Sequence, residues 1–124
     1  MLISKKAVVI VDFEIDAESV FLVIKNLGSV PALKLKIHPS TPILGLEGKK
    51  DIGNLSIFKK ISYLAPLKEI KIFVDSYESF FLHLKDSSVR FKISYRNVKK
   101  KSFKMKIDHD LRIYADLIYF IKKY

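Results

Sequence analysis

Cysteine and tryptophan are absent from this 124-residue chain, which has only four glycines and four prolines. The lack of cysteine excludes a disulfide scaffold and any zinc, iron–sulfur or redox site built on thiolates. No apolar run approaches the roughly 18–20 residues of a membrane-spanning helix. The run Ala7–Val11 is too short for a secretory signal. We therefore expect a cytoplasmic protein without a transmembrane segment.

Acidic residues are scarce relative to basic ones. Asp and Glu total 13 against 23 Lys and Arg, which gives a formal net charge of +10. Hydrophobic residues make up 49% of the chain, enough to bury a core, so intrinsic disorder is excluded as the main state. The length suits one domain over residues 1–124. The composition defines a basic globular domain and does not identify a reaction.

Apolar and polar residues alternate along much of the chain, which is the pattern of strands with one buried face. Four segments carry this alternation clearly: Ala32–His38, Lys68–Val74, Val89–Arg96 and Phe103–Asp108. Two further strands are predicted at Ala7–Ile15 and Ser19–Asn26, and the second is apolar on both faces, as a central strand would be. Asn97–Lys101 joins the last two alternating segments closely enough for a hairpin.

Three further segments depart from this alternation. Pro39–Pro66 holds most of the prolines and glycines, so we predict a long irregular connection with a short strand at Leu55–Phe58 or Ile61–Leu64. Apolar residues at helical spacing predict a short helix near residues 76–84, linking strands of opposite sheets. The C-terminal segment Asp108–Tyr124 also fits a strand, but helical spacing makes a helix the preferred interpretation.

The start of the short helix carries a capping signal. Asp75 precedes Glu78 by three residues, similar to a capping box. We therefore expect Asp75 to cap this helix.

Short strands separated by turn signals, with few helices, indicate an all-β fold, a β-sandwich of about seven strands. The segment Asn26–Ala32 lies between two predicted strands and resembles the N-x-G-x-x-P-A element of Ig-like domains of the CARDB and related adhesion-type families. Tyr63–Pro66 also resembles their approach to a later strand, with Leu67 in place of a glycine. The resemblance implies an Ig-like sandwich in which Asn26, Gly28 and Ala32 hold turn and packing positions. It implies no catalytic residues.

In an Ig-like order, the segments Leu33–Ile37, Val89–Tyr95 and Phe103–Ile107 would be neighbours in one sheet. Their outward cations would form one surface, here called the basic face: Lys34, Lys36, Arg90, Lys92, Arg96, Lys104 and Lys106. A hairpin end beside it would carry three tip lysines: Lys99, Lys100 and Lys101. Like charges directly opposite each other destabilise a sheet, so such a face favours an acidic partner. Lysines that only solvate and guard the sheet are the alternative interpretation.

Nucleic acid is one acidic partner that the basic face could bind, since phosphate contacts need only surface Lys and Arg. Phe91, Tyr95 and Phe103 fall on the inward phase of their strands, and Phe73 alone faces outward in a clear strand. Bases would therefore find few aromatic side chains to stack on, and binding would be non-specific and salt-sensitive. Anionic lipid headgroups and an acidic protein are the other candidates.

The C-terminal segment is apolar nearly all round. Its second helical stripe consists of four residues: Ile113, Leu117, Phe120 and Tyr124. A helix that is apolar on two sides needs two partners, so we predict that these residues contact another protein or a second copy. A final strand satisfied within the sandwich is the alternative. Acidic residues in the first strand region offer a second copy a complementary surface for the basic face: Asp12, Glu14, Asp16 and Glu18.

The sequence offers no framework for catalysis. Gly45–Lys49 lacks the first glycine and the final hydroxyl residue of a phosphate-binding loop, and no G-x-S-x-G element occurs. Asp108, His109 and Asp110 bring potential metal ligands together, but on a strand His109 would point away from both aspartates. We therefore predict no enzyme, no metal site and no cofactor.

These observations predict a non-enzymatic interaction module that engages a protein or acidic partner through its basic face and its apolar C-terminal segment. A protein partner or homo-oligomerisation is expected. Non-specific nucleic-acid binding is the alternative, and a component of a surface or filament structure is a second alternative.

Overall fold

A computed structural model of the chain describes residues 6–114. Its main elements are two antiparallel sheets. One sheet has three strands in the order β1 (Val9–Asp16), β2 (Ser19–Asn26), β7 (Glu69–Ser76). The other has four strands in the order β6 (Ile61–Leu64), β3 (Ala32–Pro39), β8 (Ser88–Arg96), β9 (Ser102–Asp110). The prediction of a predominantly β fold is confirmed, and a strand forms at each of the six segments predicted as strands before and after the long connection.

The two sheets pack against each other through the side chains that alternate inward. The rings of Phe13 on β1 and Phe91 on β8 lie 5.9 Å apart between centroids. At one end, the Tyr95 hydroxyl donates a hydrogen bond to the Ala7 carbonyl at 3.0 Å. At the other, His109 Nε2 on β9 lies 2.8 Å from the Val11 carbonyl oxygen on β1. The core therefore lies between the sheets and leaves their outer faces to solvent.

The connection between β3 and β6 is built from small elements. It contains β4 (Leu44–Gly45) paired with β5 (Lys50–Asp51), a 3₁₀ turn at Ile52–Asn54 and the short helix α1 (Ser56–Lys59). Of the two strands considered for this stretch, Ile61–Leu64 is confirmed as β6. Leu55–Phe58 is not a strand, because Ser56 starts α1 and Phe58 turns into the core at 2% exposure.

A helix does form near the predicted position, as α2 (Tyr77–His83), and it connects β7 to β8 of the opposite sheet. Its cap is not Asp75, however. The Ser76 side chain accepts the capping hydrogen bond from the Ser79 amide, while Asp75 is buried and accepts from the Glu47 amide at 3.1 Å. Asp75 therefore fixes the β4–β5 turn.

The turn after β2 is held by a buried side chain. Asn26 is fully buried, and its amide group accepts hydrogen bonds from the Val8 and Gly28 amides and donates to the Val30 and Leu64 carbonyls. The residue at position 28 can only be glycine, because a Cβ there would lie 2.0 Å from the carbonyl oxygen of Lys6. This close approach is the physical reason for the Asn-x-Gly pattern.

The first residues of the predicted C-terminal helix are not α-helical in the structure. Asp108–Asp110 extend β9, and a 3₁₀ turn follows at Leu111–Tyr114. Residues 115–124, and with them Leu117, Phe120 and Tyr124, lie outside the described residues. Within the described part of the chain, no helix is long and apolar enough to span a membrane.

Candidate functional site

The strands that carry the basic face are neighbours, in the order β3-β8-β9. Their register places outward residues in cross-strand rows. One row runs Lys36, Ser94, Lys104, and the next runs His38, Lys92, Lys106. All four lysines are exposed, so the face predicted from the alternation is present as a continuous surface.

Lys34 reaches this surface through an irregularity in β3. The register with β8 shifts between Leu33 and Lys36, and Lys34 takes a positive φ of 50°. This bulge keeps Leu35 fully buried while Lys34 stays exposed. Beyond it, Arg96 lies opposite Leu33.

Arg90 lies on the basic face but differs from the other six cations. Its Nε is 2.6 Å from Asp108 Oδ1, and its Nη2 is 3.1 Å from Oδ2. The Arg90 guanidinium lowers the pKa of Asp108 through this hydrogen bonding and its charge. Arg90 is therefore already paired with a carboxylate, because the β8–β9 register places an aspartate directly opposite it.

The remaining cations of the basic face have no carboxylate within 4.0 Å among residues 6–114. Lys92 is even placed directly opposite a second lysine, Lys106. Like charges at this position oppose folding. Within the described part of the protein, Asp108 compensates mainly Arg90, and the other six cations form no close ion pair.

Two adjoining grooves run over the basic face. The larger encloses about 770 Å³ and the smaller about 420 Å³, and both use Lys36, Ser94 and Lys104. No acidic residue lines either groove within the described chain. The row Lys36–Ser94–Lys104, a hydroxyl between two ammonium groups, is therefore the shared centre of a surface suited to anions.

Several residues of these grooves were missed in the sequence. His38 and Lys59 line the larger groove, and Lys60 lines the smaller. Tyr63 on β6 pairs with Leu33 and is 59% exposed, which adds an aromatic ring to the edge of the basic face. The pair Lys59–Lys60 before a short strand was the available signal, but only the position of α1 brings it to the groove.

The tip lysines extend the positive surface beyond the ends of β8 and β9. The Asn97 side chain shapes the turn by accepting from the amides of Lys99 and Lys101, and Lys100 takes a φ of 64°. All three lysines are exposed. The ammonium of Lys101 lies 5.5 Å from the centre of the Phe103 ring.

Acidic residues are concentrated on the other sheet. Asp12, Glu14 and Asp16 are exposed along β1, where Lys71 lies 3.4 Å from Glu14 and 3.8 Å from Asp16. Phe73 is outward and 46% exposed, as expected, but it belongs to this sheet and not to the basic face. The outer face of the three-stranded sheet is therefore mixed in charge, because Lys71 lies among its carboxylates.

The side chains of Asp108, His109 and Asp110 at the end of β9 point to alternate faces of the sheet, as in any strand. Asp108 is bound to Arg90, and Asp110 lies 2.7 Å from Arg112. His109 turns the other way and packs edge-on against Phe13. No group of three potential metal ligands occurs within residues 6–114.

Fold and site together define a two-sheet β protein with a basic outer face on its four-stranded sheet. The family model of a domain of unknown function, DUF8453, matches residues 4–115, and the chain belongs to this family. No curated protein and no solved structure matches the chain.

Proposed function

We propose that the protein is a non-enzymatic binding module with an Ig-like sandwich, whose basic face engages an acidic partner. The strand order supports the Ig-like assignment. Counting strands of four or more residues, the first, second and fifth form one sheet and the others form the second, as in an A-B-E sheet against a C′-C-F-G sheet. The buried Asn26 and the crowded Gly28 support the likeness to CARDB-type domains at this turn.

The observation that carries the binding proposal is the row Lys36–Ser94–Lys104 with its neighbour Lys92–Lys106, exposed and without carboxylates. Lysine side chains can bind an anion without prior breakage of ion pairs, since none occupies these four in the described structure. An acidic partner would also remove the repulsion between Lys92 and Lys106. Binding is therefore favoured both by new attraction and by relief of an unfavourable pair.

The test is binding of a fluorescently labelled polyglutamate to the full chain, followed by anisotropy from low to near-physiological salt. The variant Lys92→Glu/Lys104→Glu should bind about tenfold more weakly or worse, with a smaller dependence on salt. The variant Lys49→Glu/Lys85→Glu is the matched control, since it changes the net charge equally at exposed positions outside both grooves. Equal weakening by both variants would reduce the effect to net charge and contradict a specific face.

Nucleic acid is the second candidate, favoured by one observation. Tyr63 is exposed beside Leu33, whose other neighbour is Arg96, so a base could stack next to a cation that contacts phosphate. A labelled mixed-sequence single strand and a duplex, titrated under the same conditions, separate the candidates. Preference for the single strand that disappears in Tyr63→Ala would favour nucleic acid over an acidic protein.

The apolar C-terminal segment supplies a further proposed contact. Ile113 is its described member, and it is 69% exposed within the 3₁₀ turn. An apolar side chain this exposed, adjacent to the end of β9, supports contact with a protein partner rather than with nucleic acid alone.

A further inference from the structure

The outer edge of β9 carries backbone groups that bond to nothing in residues 6–114. Hydrogen bonds from Asn97 N to Lys101 O and from Leu111 N to Ser87 O mark both ends of the β8–β9 pair. Bonded and non-bonded pairs alternate in an antiparallel ladder, so the odd-numbered residues of β9 bond to β8. Lys104 and Lys106 therefore direct their N–H and C=O groups to the free edge. β9 pairs with no described strand other than β8.

The inward side chains at this edge are incompletely covered. Phe103, Met105 and Ile107 pack on the core but stay half-buried. Their partners on β8, such as Phe91 and Ile93, are buried. Another strand beside β9 would cover the exposed flank of these three side chains.

The other strand edges differ from that of β9. The opposite edge of the same sheet is β6, with only four residues. On the three-stranded sheet, the edge of β7 is occupied in part by Leu46, whose amide donates to the Val74 carbonyl at 2.9 Å. The edge of β1 carries exposed carboxylates at Asp12, Glu14 and Asp16. β9, with nine residues, is the longer edge strand of the four-stranded sheet that carries the basic face.

We propose that β9 is a docking edge that takes an extended peptide strand of alternating acidic and apolar residues. Main-chain hydrogen bonds to Lys104 and Lys106 supply the pairing. The partner's acidic side chains lie beside these two lysines, and its apolar side chains cover the row Phe103–Ile107. A strand with lysines at the outward positions is rejected by like charge. The proposal rests on the proposed function in taking the partner to be acidic, and it adds the mode of binding.

The experiment follows amide hydrogen exchange of the full chain by NMR, with and without a seven-residue peptide that alternates glutamate and valine. The amides of Lys104 and Lys106 should exchange about tenfold more slowly with peptide, because pairing protects edge donors. The amides of Met105 and Ile107 already bond to β8 and should change little. A fully N-methylated peptide of the same sequence keeps its charges but cannot donate, and it should not protect the edge.

Two variants at position 106 separate the contribution of the backbone donor to peptide binding from that of the side-chain charge. Lys106→Pro removes one edge donor, and proline is tolerated where the N–H faces away from the ladder. Lys106→Gln removes the same charge and keeps the donor. Lys106→Pro should bind the peptide more weakly than Lys106→Gln, after thermal unfolding has shown that both fold. If Lys106→Pro does not fold, the N-methylated peptide still decides.

The outcomes distinguish this inference from the proposed function. Equal binding of both peptides without protection of Lys104 and Lys106 would overturn the docking edge and leave the basic face as the acidic-partner site. Protection that rises with protein concentration in the absence of peptide would make a second copy the occupant and overturn the peptide partner. Binding of neither peptide would overturn the inference, and the polyglutamate titration alone would then decide the proposed function.

Discussion

Replacement of Asn26 by alanine should be the most damaging single change in the turn after β2. The side chain is fully buried and makes four hydrogen bonds of 2.9–3.2 Å, to two amides and two carbonyls. Each such bond contributes about 1 kcal/mol net. The change should therefore lower the free energy of unfolding by about 4 kcal/mol, a large part of the roughly 5–15 kcal/mol typical of a domain.

Urea unfolding followed by circular dichroism measures this loss. The matched control is Asn97→Ala, which also removes a side chain that accepts two amide hydrogen bonds in a turn. Asn97 lies in the hairpin turn among exposed lysines, where water can take its place, so its loss should be about 1 kcal/mol or less. A loss below about 1 kcal/mol for Asn26→Ala would refute the reasoning, because two backbone amides and two carbonyls would lose their buried hydrogen-bond partner.

Two further predictions concern the basic face. Lys92→Glu should raise the free energy of unfolding by roughly 0.2–1 kcal/mol, because a like-charge pair with Lys106 becomes an opposite-charge pair. The same variant should weaken polyglutamate binding, and a stability loss in urea would contradict this account. Since Arg90 lowers the pKa of Asp108 below its ordinary value of 3.8, their pair contributes stability that is complete above the unfolded pKa and lost as the pH falls through the folded one. Asp108→Asn should flatten the acid limb of the unfolding midpoint between about pH 4 and pH 2, and an unchanged limb would contradict the ion pair.

Much of the fold was readable because strand alternation is a local signal. Leu35, Phe91 and Ile93 are inward and buried as their phase predicts. The structure also has β3, β8 and β9 as neighbours in one sheet, which the resemblance to Ig-like domains had implied. Side-chain phase and strand order together were sufficient to place the basic face.

The parts that the sequence did not predict depend mainly on contacts between distant residues. The pairing of Arg90 with Asp108 requires the hairpin register, which the Asn97 turn fixes and which residue types alone do not. Asp75 was predicted to be a helix cap from its spacing to Glu78. Its actual hydrogen-bond donor, the Glu47 amide, lies 28 positions away and leaves no local signal in the sequence. α1 is four residues long, too short for a periodic signal, so the contribution of Lys59 to the groove could not be foreseen.

The distribution of charge is stronger evidence of function than the net charge itself. A basic composition alone would scatter lysines among carboxylates, since each pairing removes repulsion. Here the exposed carboxylates of β1 lie on the opposite sheet, and Asp108 and Asp110 bind arginines. Lys92 and Lys106 stay opposed, an arrangement that opposes folding and that one substitution would remove. Departures from the rules of stability are expected at functional sites, and the opposed pair Lys92–Lys106 therefore supports the proposal that the basic face binds an acidic partner.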